Sequence, residues 1–298
     1  MSVAPTRDPL ALSPLSERSD EARVARRERV ALVLRSKTFL AGATLLLFWI
    51  LSALLGEAVA PQNAFASDPL TSLRAPSAEH WFGTDRIGRD VFARVLVGAR
   101  DILLVAALAT TLGTVLGTTI GLVTGYFRGL VDDVIMRFVD ALVAVPLVIM
   151  GLLALVALGP SKRTIIVTIG IVFMPLIART VRAAVLAERE LEYVEAAKLR
   201  NERAPYIMFA EILPNVFAPV LVEFTVRLGY SIFIIATLSF LGLGIQPPAP
   251  DWGLQVAEHY AFVSGGFWWP VLFPALAIAS LVVAVNLVAD GLTQAFER

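Results

Sequence analysis

The two histidines and a serine near one of them are the first residues of this sequence to consider for chemistry. His80 and His259 are the only histidines, and they form no HExxH pair that would bind zinc. Ser264 lies close to His259, but both fall in a loop, which does not shield a nucleophile and its base from water. There is no GxxxxGK[ST] loop for phosphates and no cysteine. We therefore expect no catalytic site, no metal and no cofactor on this chain.

Glu223 and Arg227 are a second candidate, because they place opposite charges four residues apart inside an apolar run. On a helix this spacing puts both side chains on one face, where they can form an ion pair. Charges inside membrane helices are costly and often mark functional positions. Two interpretations stay open: a structural pair that faces other helices, or a contact along a passage through the membrane.

The longest polar stretch in the apolar part of the chain is EYVEAAKLRNERAPYIMFAEILPN, residues 192–215, called here the polar segment. Its charged side chains suit water, whereas Ala196 and Ala197 leave a small patch that a partner could approach closely. Pro205 forces a break or a new helix start, and Pro214 marks the entry to the next apolar run. The residues predict two short helices at an angle. They form either a partner-binding surface or an ordinary loop.

The elements that must position these residues are apolar helices. The chain is 57% hydrophobic and 17% charged, whereas soluble domains are about 45–50% apolar and about 25% charged. Its zero net charge gives no electrostatic case for nucleic acid. Helices are the only structures besides closed barrels that satisfy backbone groups in lipid. We predict an all-α polytopic membrane protein with six transmembrane helices at 39–59, 101–125, 139–159, 164–186, 217–243 and 269–290.

Lysine and arginine predict the orientation of these helices. Seventeen of them fall on the N-terminal side of the membrane and seven on the other side. This bias favours both termini, and the polar segment, in the cytoplasm. The first apolar run begins too late for a secretory signal, so we expect an uncleaved anchor. The predicted organisation is a cytoplasmic tail (1–37), a first helix (38–60), an outer segment (61–100) and a core (101–298) whose cytoplasmic loop is 188–216.

A row of glycines marks the second apolar run. Gly113, Gly117, Gly121 and Gly125 are four residues apart and share a helix face, which lets another helix approach closely. Nearby Thr110, Thr114 and Thr118 can add interhelical hydrogen bonds. The row is either a plain packing seam or a seam that moves during transport.

Residues 80–100 of the outer segment show amphipathic spacing, with Asp85 or Asp90 as a helix cap. They form either an external gate at the membrane interface or a helix that leads into the second span. Residues 239–253 end the fifth span and contain three prolines, which predicts a stiff outer loop.

The ordered motifs of residues 30–298 resemble a known family. FGTDRIGRDVFARVLVGAR, GYFRGLVDDVIMRFVDALVAVP, EYVEAAKLR, ILPN, LSFLGLGIQPPAPDWG and NLVADGL look like the peptide/nickel branch of ABC importer permeases, the dipeptide permease C type. EAAKLRN and the LP that follows resemble the EAA loop of these permeases. One such loop alone is weak evidence for the family, but the ordered set of motifs is specific to it.

The resemblance implies a type I importer permease fold in the bacterial or archaeal inner membrane. It implies a second permease, two cytoplasmic ATPases that hold ATP and Mg, and an external substrate-binding protein as partners. The cargo would be di- or oligopeptides, or alternatively nickel complexes or glutathione-like peptides. A stand-alone carrier is the competing interpretation, but no clear internal repeat is found. The implied coupling residues are Glu192, Tyr193, Glu195, Ala196, Ala197, Asn201, Leu213 and Pro214.

Asn201 departs from the family, which usually has glycine at this position to form a left-handed turn between two helices. Asparagine is the best non-glycine substitute for that backbone. We predict a positive φ at Asn201 and preserved coupling.

Overall fold

The computed structural model describes residues 36–296, so most of the predicted cytoplasmic tail lies outside the described residues. The described part is mostly helical and has no β-strand, only one isolated bridge between Thr84 and Asp90. The helices are α1 (Lys37–Val59), α2 (Val91–Phe127), α3 (Leu130–Val143), α4 (Leu147–Leu158), α5 (Lys162–Glu188), α6 (Glu192–Leu199), α7 (Ala204–Tyr206, then a π-helical turn Ile207–Ile212 and Leu213–Asn215), α8 (Phe217–Phe240), α9 (Trp252–His259) and α10 (Trp269–Phe296).

Four helices, α1, α5, α8 and α10, are long and apolar enough to cross a membrane, and α3 with α4 makes up to five. The prediction of six spans is therefore not confirmed. The second predicted span lies inside α2, where many residues are buried by other helices of the chain.

The third predicted span, 139–159, is wrong as a single straight helix. The structure divides it into α3 and α4, which are bent by 86°. The break lies at Ala144–Pro146. Proline has no N–H to donate and disfavours helical backbone at the residue before it, which explains the break.

The amphipathic stretch of the outer segment leads directly into the second predicted span. α2 begins at Val91 and continues to Phe127 without interruption, and the Asp90 carboxylate caps it by accepting from the Ala93 amide at 2.7 Å. Val91, Val95 and their neighbours are buried. This stretch is thus the start of a packed helix and does not lie flat at an interface.

The row of glycines packs α2 tightly against α5. A Cβ added at Gly117 would lie 2.7 Å from the Ile177 Cβ, and one added at Gly121 would lie 2.7 Å from the Val181 Cβ. Gly113 and Gly125 also face α5. The hydroxyls of Thr110, Thr114 and Thr118 on the same helix are buried, and they have no hydrogen-bond partner among residues 36–296. The prediction that they form interhelical hydrogen bonds is therefore wrong for the described chain.

The outer segment folds onto the ends of α9 and α10. The Trp269 indole donates to the Thr84 carbonyl at 3.0 Å, and the Phe82 ring stacks on Phe273 at 3.8 Å. The His259 ring accepts from the Arg86 amide at 3.3 Å, and His80 pairs with Asp90 at 2.9 Å. Both histidines therefore have partners that explain their positions.

Candidate functional site

The polar segment forms two helical arms, α6 and α7, joined by a tight turn. The Asn201 amide donates to the Lys198 carbonyl at 2.9 Å, and the Glu202 amide donates to the Ala197 carbonyl at 3.2 Å. These two bonds make the helix-ending motif that needs one left-handed residue. That residue is Asn201, whose φ of 56° confirms the predicted positive angle.

The inner side of α6 fixes the polar segment to the membrane helices. Val194 and Ala197 are fully buried, and the Tyr193 hydroxyl donates to the Glu188 carboxylate at 2.8 Å. Burial, reinforced by this hydrogen bond, raises the pKa of Tyr193 to about 12. The neutral phenol is thus stable at physiological pH and holds α6 at the end of α5.

A second anchor joins the polar segment region to α2. The Arg189 guanidinium donates to the Tyr126 carbonyl at 2.5 Å, at the end of the helix that carries the glycine row. In the turn that joins the two arms, Arg200 pairs with Glu202 at 2.7 Å and reaches Glu211 of the second arm at 3.5 Å. The two arms are therefore tied both to the membrane helices and to each other.

The outer side of the polar segment is open. Glu192, Glu195 and Ala196 are exposed, as is Pro214, whereas Leu213 is partly buried. Apolar side chains that sequence reasoning missed lie on the same two arms, above all Leu199, which is 84% exposed. The others are Tyr206 and Phe209. The sequence could have indicated these residues, because large apolar side chains in a hydrophilic segment either pack inward or contact a partner.

The predicted pair of Glu223 and Arg227 is present on α8, the helix that follows the polar segment. The Arg227 Nε donates to one Glu223 carboxylate oxygen at 2.9 Å. The Thr180 hydroxyl of α5 donates to the other oxygen at 2.9 Å. The Arg227 guanidinium also lies 5.8 Å from the centre of the Tyr230 ring. Sequence reasoning missed Thr180, since nothing in the sequence shows which helices are neighbours.

The structure gathers these residues at three places. The predicted coupling residues lie together on the two arms, the charged pair lies in α8, and the glycine row lies between α2 and α5. Within residues 36–296, no three His, Cys, Asp or Glu side chains come together as metal ligands.

Comparison with known proteins agrees with these features. Residues 117–298 match the family described as binding-protein-dependent transport system inner membrane component. The chain is 36% identical over 271 residues to the dipeptide transport system permease protein DppC of Alkalihalophilus pseudofirmus. The aligned region covers 91% of this chain and 89% of the relative. It is 40% identical over 284 residues to the glutathione transport system permease protein GsiD of Salmonella typhimurium, which covers 91% of this chain and 87% of the relative.

A solved structure has the same fold. It is a chain of the MetNI methionine ABC transporter in an inward-facing conformation, with a TM-score of 0.55 and 18% sequence identity. The match covers 69% of this chain and 97% of that chain. At that identity the likeness shows the fold alone, but the family match and the peptide permease relatives confirm the predicted resemblance. The chain therefore belongs to the family of binding-protein-dependent transport system inner membrane components, the permeases of ABC importers.

Proposed function

We propose that this chain is the permease subunit of an ATP-driven importer of di- and oligopeptides. In this proposal the polar segment is the surface through which a cytoplasmic ATPase moves it. The relatives named as dipeptide and peptide permeases support the cargo class. The glutathione permease relative favours glutathione-like peptides as the alternative cargo. Nickel complexes stay a prediction from resemblance alone.

The open side of the polar segment is the observation that carries the coupling role. It combines exposed acidic residues, the exposed Ala196 and exposed apolar side chains on two arms whose inner sides are fixed, whereas Ala197 of the predicted alanine patch is buried on the inner side. A rigid apolar surface rimmed by charge is typical of a protein interface. A force applied there would reach the ends of α5 and α2 through the Tyr193 and Arg189 anchors.

The proposed mechanism is alternating access without covalent chemistry on this chain. Two ATPases, which hold ATP and Mg, close together and push the polar segments of this chain and of a second, similar permease. The push shifts the population between inward-open and outward-open arrangements. An external binding protein delivers the peptide. Both termini of this multi-pass chain lie in the cytoplasm in this proposal.

Glu195→Arg tests the proposal, because this exposed carboxylate lies in the middle of the proposed interface. Reversing a charge in an interface costs several kcal/mol, so we expect at least about a tenfold loss of ATP-coupled peptide uptake. Uptake is measured in vesicles that contain both permeases, both ATPases and the binding protein. Membrane insertion should be unchanged.

Asp133→Arg is the matched control, since Asp133 is an exposed acid of α3 that forms no ion pair among the described residues. It should keep normal uptake. If Glu195→Arg also transports normally, the polar segment is not the coupling surface.

A further inference from the structure

We propose that Arg227 binds the carboxylate of the transported peptide, in a site that Glu223, Thr180 and Tyr230 complete. The inference rests on the proposed function, because it assigns the substrate contact within the same passage. Its ligand class is a carboxylate, which every peptide with a free C-terminus carries.

The first step is the way the Arg227 side chain is held. Its Nε donates to Glu223 at 2.9 Å, and the Thr180 hydroxyl fixes the other oxygen of that carboxylate. The two terminal nitrogens of the guanidinium donate to no acceptor among residues 36–296. Glu223 therefore orients the guanidinium and leaves the fork of terminal N–H groups available. That fork matches the two oxygens of a carboxylate.

The second step is the position of the pair. Arg227 lies near the middle of α8, a helix that is apolar enough to cross the membrane. The side chains of Arg227 and Glu223 are still 18% and 16% exposed. A charged group at this depth is costly when it faces lipid. The open side of the pair must therefore face water or another polypeptide, as the proposed passage provides.

The third step is the surface beside the pair. Tyr230 is 54% exposed and lies three residues after Arg227, so the two share a helix face. An aromatic ring next to an oriented guanidinium offers an apolar wall for a peptide side chain. Because the Glu223–Arg227 pair has no net charge, a carboxylate would be bound only by the free terminal N–H groups of Arg227. It would therefore be held less tightly than by an isolated arginine. Weak binding suits a site that must release its ligand.

The test is chemical labelling of a Tyr230→Cys variant in the assembled transporter, reconstituted with its partners in proteoliposomes. The chain has no cysteine of its own, so the label is read from its intact mass. We compare anionic MTSES with cationic MTSET, each relative to its rate with a free thiol, with and without ATP. The anionic reagent should react at least about threefold faster, because Arg227 lies one helical turn from position 230 whereas Glu223 lies two turns away. In the Arg227→Met background that preference should disappear.

Leu47→Cys is the control, because this exposed position on apolar α1 should react with neither charged reagent. The proposal is overturned if Tyr230→Cys reacts with neither reagent in either condition. It is also overturned if the anionic preference is absent, or survives in Arg227→Met. Absence of reaction or of the preference would fit an Arg227 that pairs with an acidic residue of the second permease.

Uptake of radiolabelled Ala-Ala separates substrate binding from a structural ion pair. Arg227→Met alone leaves Glu223 unpaired, whereas Glu223→Gln with Arg227→Met removes both charges. A merely structural pair would be rescued by the double variant. A carboxylate site would stay at least about tenfold impaired in both. Absence of ATP-dependent uptake by the unaltered transporter would count against the proposed function, while the labelling result would still decide the carboxylate site.

Discussion

Gly117→Ala should destabilise the protein although alanine is the better helix former. The added Cβ would lie 2.7 Å from the Ile177 Cβ and 2.8 Å from the Met174 carbonyl oxygen. Neither atom lies at the flexible end of a side chain. Carbon atoms in contact prefer about 3.5–4.0 Å. Helices α2 and α5 must therefore separate locally by about 0.8 Å to accept one methyl group.

Gly151→Ala is the matched control, because it adds the same methyl group to the interior of α4. There the new Cβ would meet only the flexible end of Leu238, at 3.3 Å and beyond. Each substitution gains about 1 kcal/mol of helix propensity. Overpacking costs about 1–3 kcal/mol and applies to Gly117 alone. The two variants should therefore differ in stability by about 1–3 kcal/mol.

The assay is thermal unfolding of the assembled transporter in detergent, followed by size-exclusion chromatography of the fluorescently tagged chain. Since about 1 kcal/mol corresponds to about 2–4 °C for a domain of this order of size, the midpoints should differ by about 2–12 °C. Gly113→Ala should fall between the two, because its added Cβ would lie 2.9 Å from the Gly170 carbonyl oxygen and 3.2 Å from the Phe173 Cβ. Equal midpoints for the Gly117 and Gly151 variants would refute the account of the packed seam.

Two further predictions concern the turn and the outer loop. Asn201→Ala should lower peptide uptake and increase proteolysis of the polar segment, because alanine in a left-handed conformation costs about 1–2 kcal/mol. Asn201→Gly should match the unaltered chain in both measurements, because glycine adopts this conformation readily. Asp251 is buried, and desolvation raises its pKa to about 6, so its contribution to stability is full below pH 3.8 and is lost as the pH rises through about 6. Asp251→Asn keeps an acceptor for the Leu254 amide but does not titrate, so its thermal midpoint should change less between pH 4.5 and 7.5 than that of the unaltered chain. An equal change of the midpoint in both proteins would contradict this.

The left-handed turn and the charged pair could be predicted because each depends on local geometry. Asn201 stands where two helices must meet, and Glu223 and Arg227 are one helical turn apart. The family was also predictable, because its motifs occur in order along most of the chain. In these cases the physical cause lies within a few residues of its effect.

Other features depend on which helices are neighbours, and the sequence alone does not show that. The contact between Thr180 and Glu223 joins two helices, and the orientation of Leu199 depends on the packing of α6. The break between α3 and α4 is different, because Pro146 was visible in the sequence. The apolar composition of residues 139–159 favours one continuous span, but the missing backbone donor of Pro146 breaks the helix.

The geometry of the glycine seam favours a packing seam over a seam that moves during transport. Sliding α2 along α5 would carry the Ile177 and Val181 side chains out of the spaces opposite Gly117 and Gly121 and against the intervening residues. Interlocked surfaces of this kind resist continuous shear, because close-packed interiors change between discrete arrangements. The Arg189 anchor also ties the end of α5 to the end of α2. In the proposed mechanism, a force on the polar segment would then move α2 and α5 as one body, and the hydrogen bond from Thr180 would carry that movement to the charged pair on α8.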